Sequence, residues 1–319
     1  MTRSRRLTSL LLTAALAGGG VLSAAPAHAR VDAARPLGAA APCKRAAAGE
    51  RVPVVHRERD TPPVTAGARV ALARVAGPRA GARNPAVVLP RQVRIPVRVH
   101  VIRGTRPGEH PNASRARLHQ WIGLLNRGFA GRQVAGGEST RYHFALAGVD
   151  HTTREAWWHA SSFDARDTQM KQALHVGSAR TLNLYITGGP RDLLGWSRFP
   201  WQYAQRPRLD GVTITRKALP GGGLPGYDLG DTLIHETGHW LGLLHTFQGG
   251  CTGAGDLVAD TPAEASPSYY CDESRDTCPS PGSDPVHNFM DYSPDRCMDT
   301  FTPGQAVRMD RAWLRWRAP

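Results

Sequence analysis

The 319-residue sequence has no long apolar run after its first 29 residues and no aromatic residue between positions 30 and 90. The first absence argues against a membrane-spanning helix, which needs about 18 or more consecutive apolar residues. The mature chain is therefore expected to be soluble. The second absence leaves residues 30–90, rich in Ala, Arg, Pro and Gly, with little apolar surface to bury. We expect a largely disordered or extended pro-segment there, with room for a short helix near Ala68 to Val75; a simple spacer is the alternative.

Acidic residues are also scarce, mainly in the segment before residue 93. The formal net charge is +14, yet residues 93–319 carry 25 basic and 22 acidic side chains. A nearly balanced domain weakens a nucleic-acid interpretation of the high isoelectric point. No nucleic-acid partner is expected.

Residues 1–29 have the three parts of a secretory signal peptide. Arg3, Arg5 and Arg6 precede an apolar stretch to Leu22, and Ala27-His28-Ala29 matches a cleavage site. We therefore expect a secreted, extracellular protein with no membrane attachment after signal removal. The Arg5-Arg6 pair leaves twin-arginine export open beside the ordinary Sec route.

Residues 91–319 are long enough for one domain with its own core. Alternating valines from Val93 to Val101 predict a strand. The predicted fold class is α+β with a mixed sheet, because strands and helices alternate along the chain. The expected elements are helices over 114–128 and 167–175, strands over 142–149, 181–187 and 211–215, an active-site helix, and a loop-rich C-terminal part from residue 246 onward.

The stretch 231–247 contains His235-Glu236-x-x-His239-x-x-Gly242-x-x-His245. Histidines four residues apart project from one helix face, and a glycine can end the helix at positive φ so that the third histidine returns. Three nitrogen ligands with one open position are typical of a catalytic zinc site. The alternative is an amphipathic helix with merely buried histidines.

Two further constellations lie downstream. Met290, in a tight turn, could form an apolar floor beneath the metal site. Tyr292 could occupy the open metal position or donate a hydrogen bond to an oxyanion, and core packing of Phe289, Met290 and Tyr292 is the alternative. Four cysteines within 47 residues of an exported protein predict two disulfides in one of three pairings, with a second zinc site as the rival.

Taken together, HETGHWLGLLHTFQGGC, DTP at 260–262, HNFMDYS at 287–293 and FTPGQ at 301–305 resemble the pappalysin family of metzincin zinc metallopeptidases. The likeness covers roughly residues 93–310 and includes the secreted single-domain bacterial and fungal members. It implies a metzincin-like zincin fold and an endopeptidase that hydrolyses peptide bonds in extracellular proteins. The alternatives are a catalytically silent binding protein of the same fold and a metal-dependent esterase or amidase.

The resemblance also assigns residues. It implies zinc ligands at His235, His239 and His245, a general base at Glu236 that acts on a zinc-bound water, a Met-turn methionine at Met290, and the tyrosine after it at Tyr292. The family pattern pairs Cys251 with Cys278 and Cys271 with Cys297. It suggests structural calcium near Asp256, Asp260 and Thr261, a specificity pocket at Asp295 that favours a basic residue after the scissile bond, and substrate extended along an edge strand near Gly211 to Thr215.

The fifth cysteine, Cys43, lies in the pro-segment. In latent members of the family a pro-segment cysteine covers the zinc, so a Cys43 thiolate is a candidate latency switch. A chance cysteine in a discarded segment is the alternative. The monomer is the expected oligomeric state.

Overall fold

The computed structural model describes residues 60–65, 68–69, 72 and 89–318. The predicted signal peptide and Cys43 lie outside these residues, as does most of the pro-segment. Residues 68, 69 and 72 are helical, in line with the short helix expected there. Asp60 and Leu72 are buried, so at these two positions the pro-segment is packed against the protein rather than disordered.

The sheet has five strands, and the order across it is β2-β1-β3-β5-β4. Four strands are parallel, and β4 runs antiparallel to β5. The predicted mixed sheet is confirmed. The strands are β1 (Val93–Arg103), β2 (Tyr142–Thr153), β3 (Leu182–Thr187), β4 (Gly195–Ser197) and β5 (Val212–Thr215).

The edge strand differs from the expectation. The strand predicted near Gly211 to Thr215 lies inside the sheet, between β3 and β4. The edge beside it is β4, which is only three residues long and fully buried, so its sequence shows no alternation. The prediction that the strand near Gly211 to Thr215 is a sheet edge is therefore wrong. The two edges are β2 and β4, and β4 is the edge beside this strand.

Five α-helices accompany the sheet in the part of the chain that the structure describes. Ser114 caps the first, as predicted, and its side chain accepts a hydrogen bond from the Arg117 amide. The third begins two residues before its predicted start because Asp164 caps it. The helices are α1 (Arg115–Phe129), α2 (Glu155–Trp158), α3 (Ala165–Leu174), α4 (Asp231–Trp240) and α5 (Pro303–Ala312).

The main core lies between the sheet and the pair α1 and α4. Its apolar residues come from all three, and Phe289 and Met290 extend it beneath α4. A helix enclosed on every side needs no polar face, and every residue of α4 is buried. The sheet and α1 thus fix the position of the helix that carries the predicted metal ligands.

Residues 246–302 are made of turns, as expected, and two disulfides crosslink them. The pairs are Cys251–Cys278 and Cys271–Cys297, with Cα separations of 5.2 and 5.7 Å. This pairing leaves none of the four thiols for a second zinc site. The tail is less irregular than predicted, since a Thr302/Gln305 capping box starts α5 and a π-helical turn, Trp313–Arg317, follows it. In the described residues, no helix has the length and apolarity to cross a bilayer.

Candidate metal centre

Helix α4 and the turn after it bring the three histidines together. The helix ends at Trp240, and Gly242 has φ +103°. A Cβ at Gly242 would stand 2.7 Å from the Ala312 Cβ, so both backbone conformation and space require glycine. The chain reverses there and returns His245 to the face that carries His235 and His239.

The Nε2 atoms of the three histidines converge. His239 Nε2 lies 3.1 Å from His235 Nε2 and 2.9 Å from His245 Nε2. His235 Nδ1 donates to the Phe289 carbonyl at 2.6 Å, and His239 Nδ1 donates to the Leu243 carbonyl at 2.8 Å. A carbonyl only accepts, so both Nδ1 atoms carry the proton and their Nε2 atoms present bare lone pairs.

This arrangement fits a bound cation. Buried lone pairs about 3 Å apart repel one another, and a shared metal ion removes the repulsion. Tetrahedral zinc with bonds of about 2.0–2.1 Å would hold its donors about 3.3–3.4 Å apart, close to the spacing found here. Burial holds the pKa of His239 well below its usual value, so that imidazole is neutral and available as a ligand.

Glu236 is buried beside the histidines, against the edge strand. A Cβ at Gly195 of β4 would lie 3.0 Å from Glu236 Oε1. The Glu236 carboxylate therefore packs directly against β4. Only a residue without a side chain at position 195 leaves room for it.

Met290 and Tyr292 lie in the turn that packs against α4 and its histidines. The Met290 sulfur is packed under α4, 2.5 Å from the point where a Cβ at Gly238 would stand. The Tyr292 hydroxyl is 3.3 Å from His245 Nε2. Methionine thus forms an apolar floor, and tyrosine places a hydrogen-bond donor at the ligands.

A fourth residue, Asp60, reaches the centre from the predicted pro-segment. Its Oδ2 lies 3.1 Å from His245 Nε2 and 3.4 Å from His235 Nε2, and accepts a 2.9 Å hydrogen bond from Tyr292 Oη. The sequence interpretation missed Asp60, because four carboxylates lie between residues 30 and 92 and no motif marks this one.

Comparisons with known proteins agree with this geometry. A peptidase family model described as pregnancy-associated plasma protein-A matches residues 227–313. An extracellular metalloprotease of Pyricularia oryzae is 42% identical over 223 residues, which cover 69% of this chain and 75% of that protein. The chain belongs to the pappalysin family of metallopeptidases. A second relative, an extracellular metalloprotease of Neurospora crassa, is 40% identical over 230 residues, or 71% of this pappalysin and 76% of that protein.

Solved structures of mirolysin from Tannerella forsythia share the pappalysin fold. Mature mirolysin in complex with a cleaved peptide is 30% identical with a TM-score of 0.56, covering 68% of this chain and 90% of that one. A promirolysin mutant is 26% identical with a TM-score of 0.60, covering 77% and 85%. The metzincin-like fold implied by the resemblance is confirmed, and the metalloprotease homologues do not support the silent binding protein.

The remaining site predictions fall around the pappalysin centre. Asp295 Oδ2 accepts from the Leu229 and Gly230 amides, at 2.8 and 2.9 Å, just before α4. Asp260 accepts from Thr302 Oγ1 and the Gly304 amide and so caps α5. Burial raises the pKa of Asp256 to about 7.

Proposed function

We propose that this pappalysin is an exported zinc endopeptidase in which His235, His239 and His245 hold the metal and Glu236 is the general base. The observation that carries the proposal is the convergence of the three Nε2 atoms, since those of His235 and His245 lie within 3.1 Å of His239 Nε2. The Nδ1 protons of His235 and His239 are bonded to carbonyls. Burial of Glu236 beside them supports its role. The extracellular metalloprotease relatives support the reaction class.

Each group has a defined task in peptide hydrolysis. When bound, zinc supplies Lewis-acid activation of the scissile carbonyl and of a water. Glu236 takes a proton from the attacking water at its carboxylate and delivers it to the leaving amine. Tyr292 Oη, which already donates to an anionic oxygen in this structure, donates to the oxyanion that forms.

The peptide substrate is held extended along β4. Strand β4 is the sheet edge beside the metal centre, and the Ser197 amide there donates to the carbonyl of a non-sheet segment at 2.8 Å. An added chain that pairs with an edge strand is a common mode of peptide recognition. The strand therefore aligns backbone atoms, while the cleft beyond it sets side-chain preference.

Digestion of casein by the processed enzyme tests this function, with Glu236→Gln as the variant and Glu273→Gln as the control. Loss of the general base should lower kcat by about 10²–10⁴-fold or more, while metal content stays equal to wild type. Glu273 has a side chain that is 66% exposed, so its change should leave activity intact. Full activity of Glu236→Gln, or of enzyme treated with a zinc chelator, would overturn the proposal; cleavage of esters without peptides would favour the esterase.

We further propose that Asp295 influences the residue preferred after the scissile bond. It is buried at the start of α4, where its carboxylate carries negative charge close to the cleft, and favours Arg or Lys in the substrate. Neighbouring Arg296 is exposed and opposes this effect. A peptide-library digest by Asp295→Asn enzyme should lose the basic preference; a wild-type profile without any basic preference contradicts the idea.

Calcium binding near Asp256, Asp260 and Thr261 stays a proposal from the resemblance. Their oxygens are of the type that calcium prefers. Burial raises the pKa of the Asp256 carboxyl to about 7, a cost to its charged form that a calcium ion beside it would offset. Calcium should raise the melting temperature of wild type but not of Asp256→Asn. Equal shifts in both proteins would remove this site.

A further inference from the structure

We propose that Asp60 is the fourth ligand of the catalytic zinc in the precursor, so that the pro-segment keeps the enzyme latent through an aspartate. This inference rests on the proposed zinc centre and adds a residue to it. The alternative latency residue, Cys43, lies outside the described residues. The two hypotheses are separable by experiment.

The first support is the arrangement of donor atoms. One atom each from Asp60, His235, His239 and His245 lies within 4.8 Å of all the others, and all four residues are buried. Asp60 Oδ2 lies 3.1 Å from His245 Nε2 and 3.4 Å from His235 Nε2. These distances are close to the separation of about 3.3 Å expected between two donor atoms of tetrahedral zinc. Asp60 thus completes a set of four buried donor atoms that one metal ion could hold.

The second support is charge. Asp60 is 1% exposed, and its other oxygen, Oδ1, has no hydrogen-bond partner among the described residues. A buried carboxylate that lacks sufficient partners is costly unless a cation lies beside it. His235 and His239 direct their Nε2 lone pairs to the same place, because their Nδ1 protons are bonded to carbonyls. A divalent ion there would offset the Asp60 charge.

The third support is the backbone around Asp60. Its carbonyl accepts the Ser197 amide of β4, the same edge that we assign to substrate. Pro62 and Pro63 follow and have no N–H, so the pairing cannot extend along them. Farther on, Thr65 accepts hydrogen bonds from residues 68 and 69, and Leu72 is buried. The segment therefore occupies both the open metal position and the substrate edge.

Activation then consists of removing Asp60. A cut between Asp60 and β1 detaches the ligand from the domain, the carboxylate leaves, and a water takes its place. The Tyr292 hydroxyl and the Ser197 amide lose their Asp60 partners at the same time. Both become available to substrate without a change in the fold around α4.

The test uses the precursor from residue 30 with Glu236→Gln, which prevents self-processing, and with cobalt in place of zinc. Acetohydroxamic acid, a small bidentate metal ligand, is titrated while the visible cobalt spectrum is recorded. Asp60→Ala and Asp60→Asn should bind this probe at least about tenfold more tightly than the parent, because an intramolecular ligand competes at effective concentrations of about millimolar or above. Cys43→Ser and the neighbouring control Glu58→Ala should behave as the parent.

The outcomes separate the hypotheses. Equal probe binding by the parent and both Asp60 variants would overturn the inference, and so would a site opened only by Cys43→Ser. Absence of cobalt binding in every variant would overturn the zinc centre itself, and this inference with it. As an independent measure, the precursor with Glu236 intact and Asp60→Ala should digest casein before any processing, whereas the wild-type precursor should not.

Discussion

Arg317, near the C-terminus, should stabilise the active-site helix more than any exposed arginine can. Its guanidinium is buried and pairs with both carboxylate oxygens of Asp210 at 2.6 and 3.1 Å. Its Nε and Nη2 also donate to the Trp240 carbonyl at 3.2 and 2.9 Å. The guanidinium carbon lies 3.8 Å from the centre of a Trp240 ring. The Arg317 side chain therefore supplies hydrogen-bond donors to the carbonyl of the last residue of α4 and also neutralises the buried Asp210 carboxylate.

Arg317→Ala should destabilise the fold by about 3–5 kcal/mol, the usual cost of removing one partner from a buried ion pair. The Asp210 carboxylate would keep the 2.9 Å hydrogen bond from Trp240 Nε1 but lose its cation. The Trp240 carbonyl would lose two charged donors as well. Since Asp210 is nearly inaccessible to water, solvent cannot replace these partners without an opening of the core.

Urea unfolding at pH 7 on the Glu236→Gln background measures this cost without self-digestion. Arg315→Ala is the matched control, because Arg315 is exposed two residues away and its loss should change stability by no more than about 0.5 kcal/mol. The double variant Arg317→Met/Asp210→Leu should cost less than the two single changes added together, since no buried charge is stranded. A difference below about 1 kcal/mol between Arg317→Ala and Arg315→Ala would refute the reasoning.

Three further predictions concern packing, crosslinks and pH. Gly238→Ala should cost about 1–3 kcal/mol in thermal unfolding, because its methyl would meet the Met290 sulfur. Replacing Cys251 and Cys278 with serine should cost about 3–4 kcal/mol in urea unfolding, as expected for a loop of 27 residues. Burial, with the charge of Asp291, raises the pKa of Glu264 to about 8. Between the ordinary glutamate pKa and this raised value, the folded state holds a proton that the unfolded state has released. The free energy of unfolding should therefore fall between about pH 5 and 8 by roughly 2–4 kcal/mol, and Glu264→Gln should flatten that fall.

The packing and pH predictions each have a control in the same chain. Gly123→Ala in α1 meets nothing nearer than 3.6 Å and should be neutral or slightly stabilising. Glu273→Gln at an exposed site should leave the pH profile of wild type unchanged. A Gly238→Ala protein as stable as Gly123→Ala, serines without a stability loss, or a pH slope that survives in Glu264→Gln would each contradict the corresponding prediction.

Much of the site could be predicted because its groups are close together in the sequence. His235, Glu236, His239 and His245 span one helix and one turn, so helix periodicity and a single glycine fix their relation. The strands β1 and β3 and the helix α1 were predictable for a similar reason, since each carries its own apolar pattern or cap. The disulfide pairing required the family resemblance, because the cysteine spacings alone left three pairings open.

The parts that sequence interpretation missed depend on contacts between distant segments. Strand β4 has three residues, too few for an alternating pattern, and it exists because β5 pairs with it. Helix α5 did have a local signal, the Thr302/Gln305 capping box. The prediction of a loop-rich C-terminal part did not use it. The C-terminal cap from Arg317 to Trp240 joins residues 77 positions apart, beyond any local pattern.

Asp60 shows the same limit at the metal centre, and it also connects latency with catalysis. It meets His245 from 185 positions away, and a single aspartate carries no periodic signal. In the structure it contacts Tyr292 and Ser197, the groups that we assign to oxyanion and substrate binding. A latency device that uses the catalytic contacts needs no separate binding surface, because a site that stabilises an anionic oxygen beside a metal will also bind a carboxylate. The geometry that favours catalysis thus also explains why an aspartate can hold the precursor inactive.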